Sequence, residues 1–222
     1  MIETLNSIGI SNAMITSTVL TVIICVIAII AGKHVEIIPN NRIVLAIELG
    51  IEKLNGFFKD LMGERICKRY FPIVGTLFIY IMICNYTGLL PLAGELPGLA
   101  APTSSINFPL GFAIVVFFAT QIIGLREQGI KTYKRLIEPV ALMFPLMLIE
   151  EFVRPFSLTL RLYGNIFGEE SVVHAFFGLI PLGLPVIMQF LSVLMGLVQA
   201  LVFSLLASIY ITEVAEVEGE LG

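Results

Sequence analysis

The apolar positions of this chain fall into long blocks rather than into short alternating stripes. A first block covers 13–32, long enough to cross a bilayer once as a helix. Further blocks cover 70–92 and 109–125, and two longer ones cover 139–180 and 184–212. The block at 139–180 exceeds one simple span, carries Pro145 and Pro155, and contains Glu150, Glu151, Glu169 and Glu170. It reads as one or two tilted or kinked helices packed in protein rather than in lipid. Pro72 and Pro139 are expected to break the chain where the second and fourth blocks begin.

Between the first two blocks the pattern changes period. Val44, Ile47, Ile51, Leu54, Phe58 and Leu61 recur at three- and four-residue spacing, with Glu48, Glu52, Asn55 and Lys59 opposite. That spacing predicts an amphipathic helix over 42–62, either lying along the membrane interface or packed on another subunit. The whole pattern predicts an all-α polytopic membrane protein forming a single integral membrane domain over 1–222. It would have about five to six membrane helices, including a long tilted helical hairpin at 139–180 and 184–212, plus the amphipathic helix.

Composition agrees: 57% of the 222 residues are hydrophobic and 14% are charged, against about 25% charged in soluble domains. The placement of charge says more than the net value of −4. Eleven of the thirteen Lys and Arg lie in 33–69 and 126–135, and the intervening segment 91–108 has none. The positive-inside rule then predicts both basic segments in the cytoplasm, the N-terminus outside and the C-terminus inside. MIETLNSIGI at the N-terminus has no Lys or Arg before its apolar run, unlike a signal peptide. A bacterial plasma membrane is the expected location. Cys25, Cys67 and Cys84 match no metal or redox spacing and read as packing residues.

Against this background one residue stands out. Residues 139–212 contain only two Lys or Arg, Arg154 and Arg161. Glu150, four residues before Arg154, is placed to neutralise it on one helix face. Arg161 has no acid three or four residues away. A charge at bilayer depth costs about 2.5–3.5 kcal/mol on insertion scales, so an unneutralised arginine there marks an ion route or a binding partner.

Other polar groups accompany it. Asn165 is one turn beyond Arg161 on nearly the same face. Glu170 points to roughly the opposite side, about 13.5 Å further along the axis, and His174 follows Glu170 by one turn. Polar groups on two faces at two depths suit two separated aqueous environments with a cation between them. On the last block Ser192, Gln199 and Tyr210 are spaced by seven and eleven, close to whole turns, and are placed to face the Arg161 helix. Each has a plainer reading: His174 as a hydrogen-bonded packing residue, Ser192 bonded to its own helix, Gln199 and Tyr210 as interhelical contacts. GELPGLAAPTSSINFP reads as a turn-forming connection, with Ser105 and Asn107 facing water at a channel mouth.

Several chemistries are excluded. GLREQGIKT (124–132) lacks the lysine of a phosphate-binding loop, with Ile130 after Gly129. Two histidines 140 residues apart make no multi-histidine metal site, and neither GxSxG nor HExxH occurs. The chain reads as a non-enzyme with no bound cofactor and no nucleic-acid partner.

RPFSLTLRLYGNIFGEE, preceded by IEE and followed by QALVFSLLASIYI, resembles subunit a of F-type ATP synthases. The resemblance covers nearly the whole chain and includes DLMGERICKRYFPIVGTLF, NYTGLLP and PTSSIN. It implies a stator subunit that carries protons or sodium ions through two half-channels to and from a rotating ring of c subunits, with peripheral-stalk b subunits and membrane lipid as further partners. It implies that Arg161 faces the ring carboxylates, that Glu170 is the half-channel acid, and that Asn165, Gln199, Tyr210 and Ser157 lie near the path. The sequence departs from the family pattern at Ser105, where many members have an acid, and at Ser192, where some have histidine. Glu169 adds an acid beside Glu170, and His174 matches no motif position. A stand-alone secondary transporter using Arg161 to hold an anionic substrate is the alternative.

Overall fold

The computed structural model describes residues 12–33, 42–89, 102–129, 144–177 and 184–215. These form six α-helices: α1 (Asn12–Lys33), α2 (Arg42–Met62), α3 (Glu64–Thr87), α4 (Asn107–Glu127), α5 (Phe144–Phe177) and α6 (Leu184–Ala215). A single 3-10 turn, Pro102–Ser104, leads into α4. The protein is all-α, and among the described residues no strand occurs. Among the described residues three helical segments are long and apolar enough to cross a membrane: Glu64–Thr87, Asn107–Glu127 and Gln189–Ala215, with a shorter apolar stretch at Met14–Ile30.

The core lies where α3, α4, α5 and α6 meet. Leu77 and Ile81 of α3, Ala113 and Val116 of α4, Leu158 and Leu162 of α5, and Ala200, Phe203 and Ala207 of α6 are buried together. α6 is central because its inward face is built from small residues at helical spacing. Gly196, Ala200, Ser204, Ala207 and Ser208 let neighbouring backbones approach closely, as membrane helices do where lipid supplies no hydrophobic drive between them. Ser204 and Thr212 return their hydroxyls to carbonyls one turn back, so these polar side chains add no unmet bonds.

A second cluster joins α2 to the bundle at one end. Phe58 and Met62 pack with Cys67, Tyr70 and Val74 of α3, Ile123 of α4, and Ile211 and Ala215 of α6. The amphipathic face of α2 is therefore divided: Phe58 is buried and Leu54 half-buried, whereas Ile47, Ile51 and Leu61 are exposed. Met62, next to the exposed Leu61, is buried under α3, because the chain turns at Gly63 (φ 75°). Such a positive φ is cheap only for glycine. Cys67 and Cys84 are buried packing residues, and Cys25 faces outward from α1.

The prolines behave differently from the sequence expectation. α3 passes through Pro72 instead of starting there. The carbonyl of Lys68 loses its helical partner, but that turn is exposed, and Thr76 Oγ1 donates to the Pro72 carbonyl at 2.6 Å. Of the one or two helices expected in this block, the described residues form one, the continuous 34-residue α5 with Pro155 inside it. Thr159 Oγ1 donates to the Pro155 carbonyl at 2.8 Å. Pro145 falls in the first turn of α5, where a missing N–H costs nothing. Pro139 lies outside the described residues.

Candidate functional site

The spacing of α5 determines where Arg161 points. Leu158, Leu162 and Ile166, four residues apart, are buried against the bundle, with Thr159 beside them. Arg161 flanks this stripe and is exposed, as are Phe156, Ser157, Leu160, Gly164 and Phe167 further round the helix. Among the described residues Arg161 forms no ion pair. Ser157 and Gly164 leave the backbone on either side of the guanidinium open, and a β-carbon on Gly164 or Gly168 would meet nothing within 4 Å. The arrangement is a cation on an apolar outer face with room beside it for another helix.

Asn165, Glu169, Glu170 and His174 are carried by the backbone of α5. Their side chains lie outside the described residues, so their directions are not part of this site.

The polar positions of α6 point inward. Ser192 is 4% exposed and Gln199 is 6% exposed. Between them Gly196 sits against α3: the side-chain amide of Asn85 donates to its carbonyl at 3.1 Å. This stretch of α6 thus packs on α3 as well as on α5. Two complementary groups are left over there, since neither Gln199 Nε2 (a donor) nor Asn85 Oδ1 (an acceptor) has a hydrogen-bond partner. Buried polar groups without partners are uncommon and costly, so this is a polar spot inside an otherwise apolar interface. Asn85 was not singled out from the sequence. The signal available was its position, an amide inside an apolar run at NYTGLLP, the same argument that selects Gln199.

Tyr210 belongs to a different group. Its ring lies under the Arg154 guanidinium, with Cζ 4.9 Å from the ring centroid. Arg154 in turn pairs with Glu213 through two contacts, Nη1 to Oε2 at 2.9 Å and Nη2 to Oε1 at 3.2 Å. The sequence suggested Glu150 as the partner of Arg154; the structure pairs it across to α6, and the Glu150 side chain is outside the described residues. Arg154 and Arg161, the two cations of the apolar region, therefore differ in kind: one is bridged between helices, the other exposed.

At the opposite end Ser105 is half-buried and Asn107 exposed. Both line a cavity of about 530 Å³ between α1 and α4, with Met14 and Ser17 on the α1 side and Phe108, Gly111 and Phe112 on the other. α1 is tied to the bundle there by a 2.6 Å hydrogen bond between the Thr21 and Tyr80 hydroxyls.

Comparison with known proteins gives one answer throughout. The sequence pattern of the family described as ATP synthase A chain matches residues 14–212. The chain is 38% identical over 203 residues to ATP synthase subunit a of Moorella thermoacetica, covering 89% of each. It is 39% identical over 173 residues to ATP synthase subunit a 2 of Syntrophotalea carbinolica, covering 76% of this chain and 71% of the relative. To ATP synthase subunit a of Trichlorobacter lovleyi it is 35% identical over 205 residues, covering 90% of this chain and 86% of the relative.

Proposed function

This chain belongs to the ATP synthase A chain family, and we propose that it is the ion-translocating stator subunit of a rotary ATP synthase. It is a bacterial multi-pass membrane protein of the membrane sector, working in ATP synthesis through ion transport. Its own role is non-catalytic. Its partners are the ring of c subunits, which slides past α5 and α6, and the b subunits of the peripheral stalk. The coupled ion, a proton or a sodium ion, reaches the ring by one half-channel and leaves by another. The two basic segments lie in the cytoplasm, with the N-terminus outside and the C-terminus inside, as the distribution of Lys and Arg supports.

The observation that carries this reading is the exposure of Arg161 on the outer face of a helix whose inner face is packed. A guanidinium turned toward apolar surroundings costs free energy unless a counter-charge arrives from a partner. A carboxylate on each ring subunit is such a counter-charge. Desolvation in lipid raises a carboxyl pKa and a nearby cation lowers it. Each ring acid therefore stays neutral against lipid and gives up its ion beside Arg161. The same fixed charge repels a cation crossing directly between the half-channels, so Arg161 also limits leak.

Asn165, Glu169, Glu170, Gln199, Ser192, His174 and Tyr210 complete the ion path in this reading. Glu170, with Glu169 beside it, serves as the acid of one half-channel. Gln199 Nε2 and Asn85 Oδ1, buried without partners, support a polar stretch of the path along α6.

Cross-linking tests the contact. With Leu160→Cys, an exposed position next to Arg161, and a cysteine beside the carboxylate of the c subunit, oxidation should join the two chains in membranes. If Leu160→Cys never forms that bond while a cysteine on the exposed face of α1 does, the ring does not pass over α5.

A further inference from the structure

Asn85 on α3 and Gln199 on α6 are both buried, and one end of each side-chain amide is unmet. The unmet ends are opposite in kind: Asn85 Oδ1 accepts and Gln199 Nε2 donates. The Asn85 amide has one workable orientation. Its Nδ2 donates to the Gly196 carbonyl at 3.1 Å, and turning the amide round would set two oxygens face to face. Asn85 Oδ1 is thereby left to find a donor elsewhere.

Gln199 is within reach to supply one. It follows Gly196 by three residues, which puts the two positions on one side of α6 with β-carbons about 5–6 Å apart. A β-carbon on Gly196 would lie 3.3 Å from Asn85 Cβ. The β-carbons of Asn85 and Gln199 are therefore no more than about 9 Å apart. Long side chains on a helix lean toward its N-terminus, which from Gln199 is the direction of Gly196. The two unmet atoms do not bond each other directly. Two hydrogen bonds through one water span about 5.5–6 Å, and the two side chains cover the rest.

We propose that Asn85 Oδ1 and Gln199 Nε2 share one internal water, and that Asn85 is thereby a positioning residue that orients the Gln199 amide for ion transfer. The role in transfer rests on the stator reading above; the water does not. An amide held through its nitrogen presents its carbonyl oxygen at the other end, the end that accepts from a proton carrier or faces a cation. Asn85 sets the polarity that Gln199 offers to the path without touching the ion.

The test uses the assembled synthase. A density map that resolves ordered water should show a peak within about 3 Å of both atoms. No peak there, or direct contact of the two amides, overturns the proposal. Variants in inverted membrane vesicles add two readouts, ATP-driven pumping and retention of the subunit in the complex on heating. Gln199→Leu leaves the Asn85–Gly196 bond in place. It should lower retention on heating, because the water and Asn85 Oδ1 lose a partner. A rise, expected when an unmet donor is simply removed, overturns the water. Gln199→Leu and Asn85→Ala should each lower pumping about two- to tenfold, the effect of one hydrogen bond. The double variant should pump no worse than the lower of the two, whereas effects that multiply overturn the positioning role. Asn85→Ser and Asn85→Ala lose the Gly196 bond alike, but only serine can still meet a water, so serine should pump better. Equal pumping assigns the loss to packing and overturns the positioning role. Arg161→Ala separates the two claims: wild-type pumping there removes the stator reading and leaves the density peak and the heating result in support of the water.

Discussion

Asn85 and Gly196 lock α3 to α6 by contact and hydrogen bond together: the Asn85 amide donates to the Gly196 carbonyl at 3.1 Å, and a β-carbon on Gly196 would lie 3.3 Å from both Asn85 Cβ and Tyr86 Cε1. The glycine is there because α3 leaves no room for more. Gly196→Val should overpack this seam and destabilise the subunit by about 1–3 kcal/mol. It should appear as a lower thermal inactivation temperature of the purified complex. Equal stability for wild type and Gly196→Val would mean that the two helices do not approach this closely.

The divided face of α2 separates two neighbouring residues. Phe58 is fully buried and its truncation to alanine should cost about 3–5 kcal/mol, loosening α2 from α3 and α6. Leu61→Ala, at an exposed position, should change stability by no more than about 0.5 kcal/mol. Limited proteolysis of α2 in membranes distinguishes them, with faster cleavage expected only for Phe58→Ala.

Much of this architecture was legible in the sequence, because block length and period are direct consequences of bilayer thickness and helix geometry. The all-α polytopic class follows from them, and so does the exposure of Arg161 once Leu158, Leu162 and Ile166 are recognised as one buried stripe. Two kinds of information were not legible. Pairs distant in sequence are invisible to local spacing rules: nothing in the spacing brings Glu213 to Arg154, 59 residues away. A local signal was also overridden by packing: Pro72 lies inside α3, which is held on both sides of it by its neighbours in the bundle.

α1 is held by few polar contacts, so the Tyr80 hydroxyl matters beyond its size. It bonds Thr21 Oγ1 at 2.6 Å and donates to the Ser17 carbonyl at 3.3 Å. The ring is also packed against Phe108 and Phe112, and Tyr80→Phe keeps that packing. Only the hydrogen bonds go, at a net cost of about 0.5–1.5 kcal/mol. Amide hydrogen exchange in α1 should speed up several-fold while the rest of the bundle is unchanged. Uniform exchange across all helices in Tyr80→Phe would contradict this attachment.

The central claim is that Arg161 works at the surface shared with the ring. ATP-driven ion pumping in inverted vesicles, comparing wild type with Arg161→Ala in complexes shown to be fully assembled, tests it most directly. The account predicts that pumping is lost, since Arg154, the other arginine of α5, is held in its bridge to Glu213. Pumping at the wild-type rate by an assembled Arg161→Ala complex would contradict it.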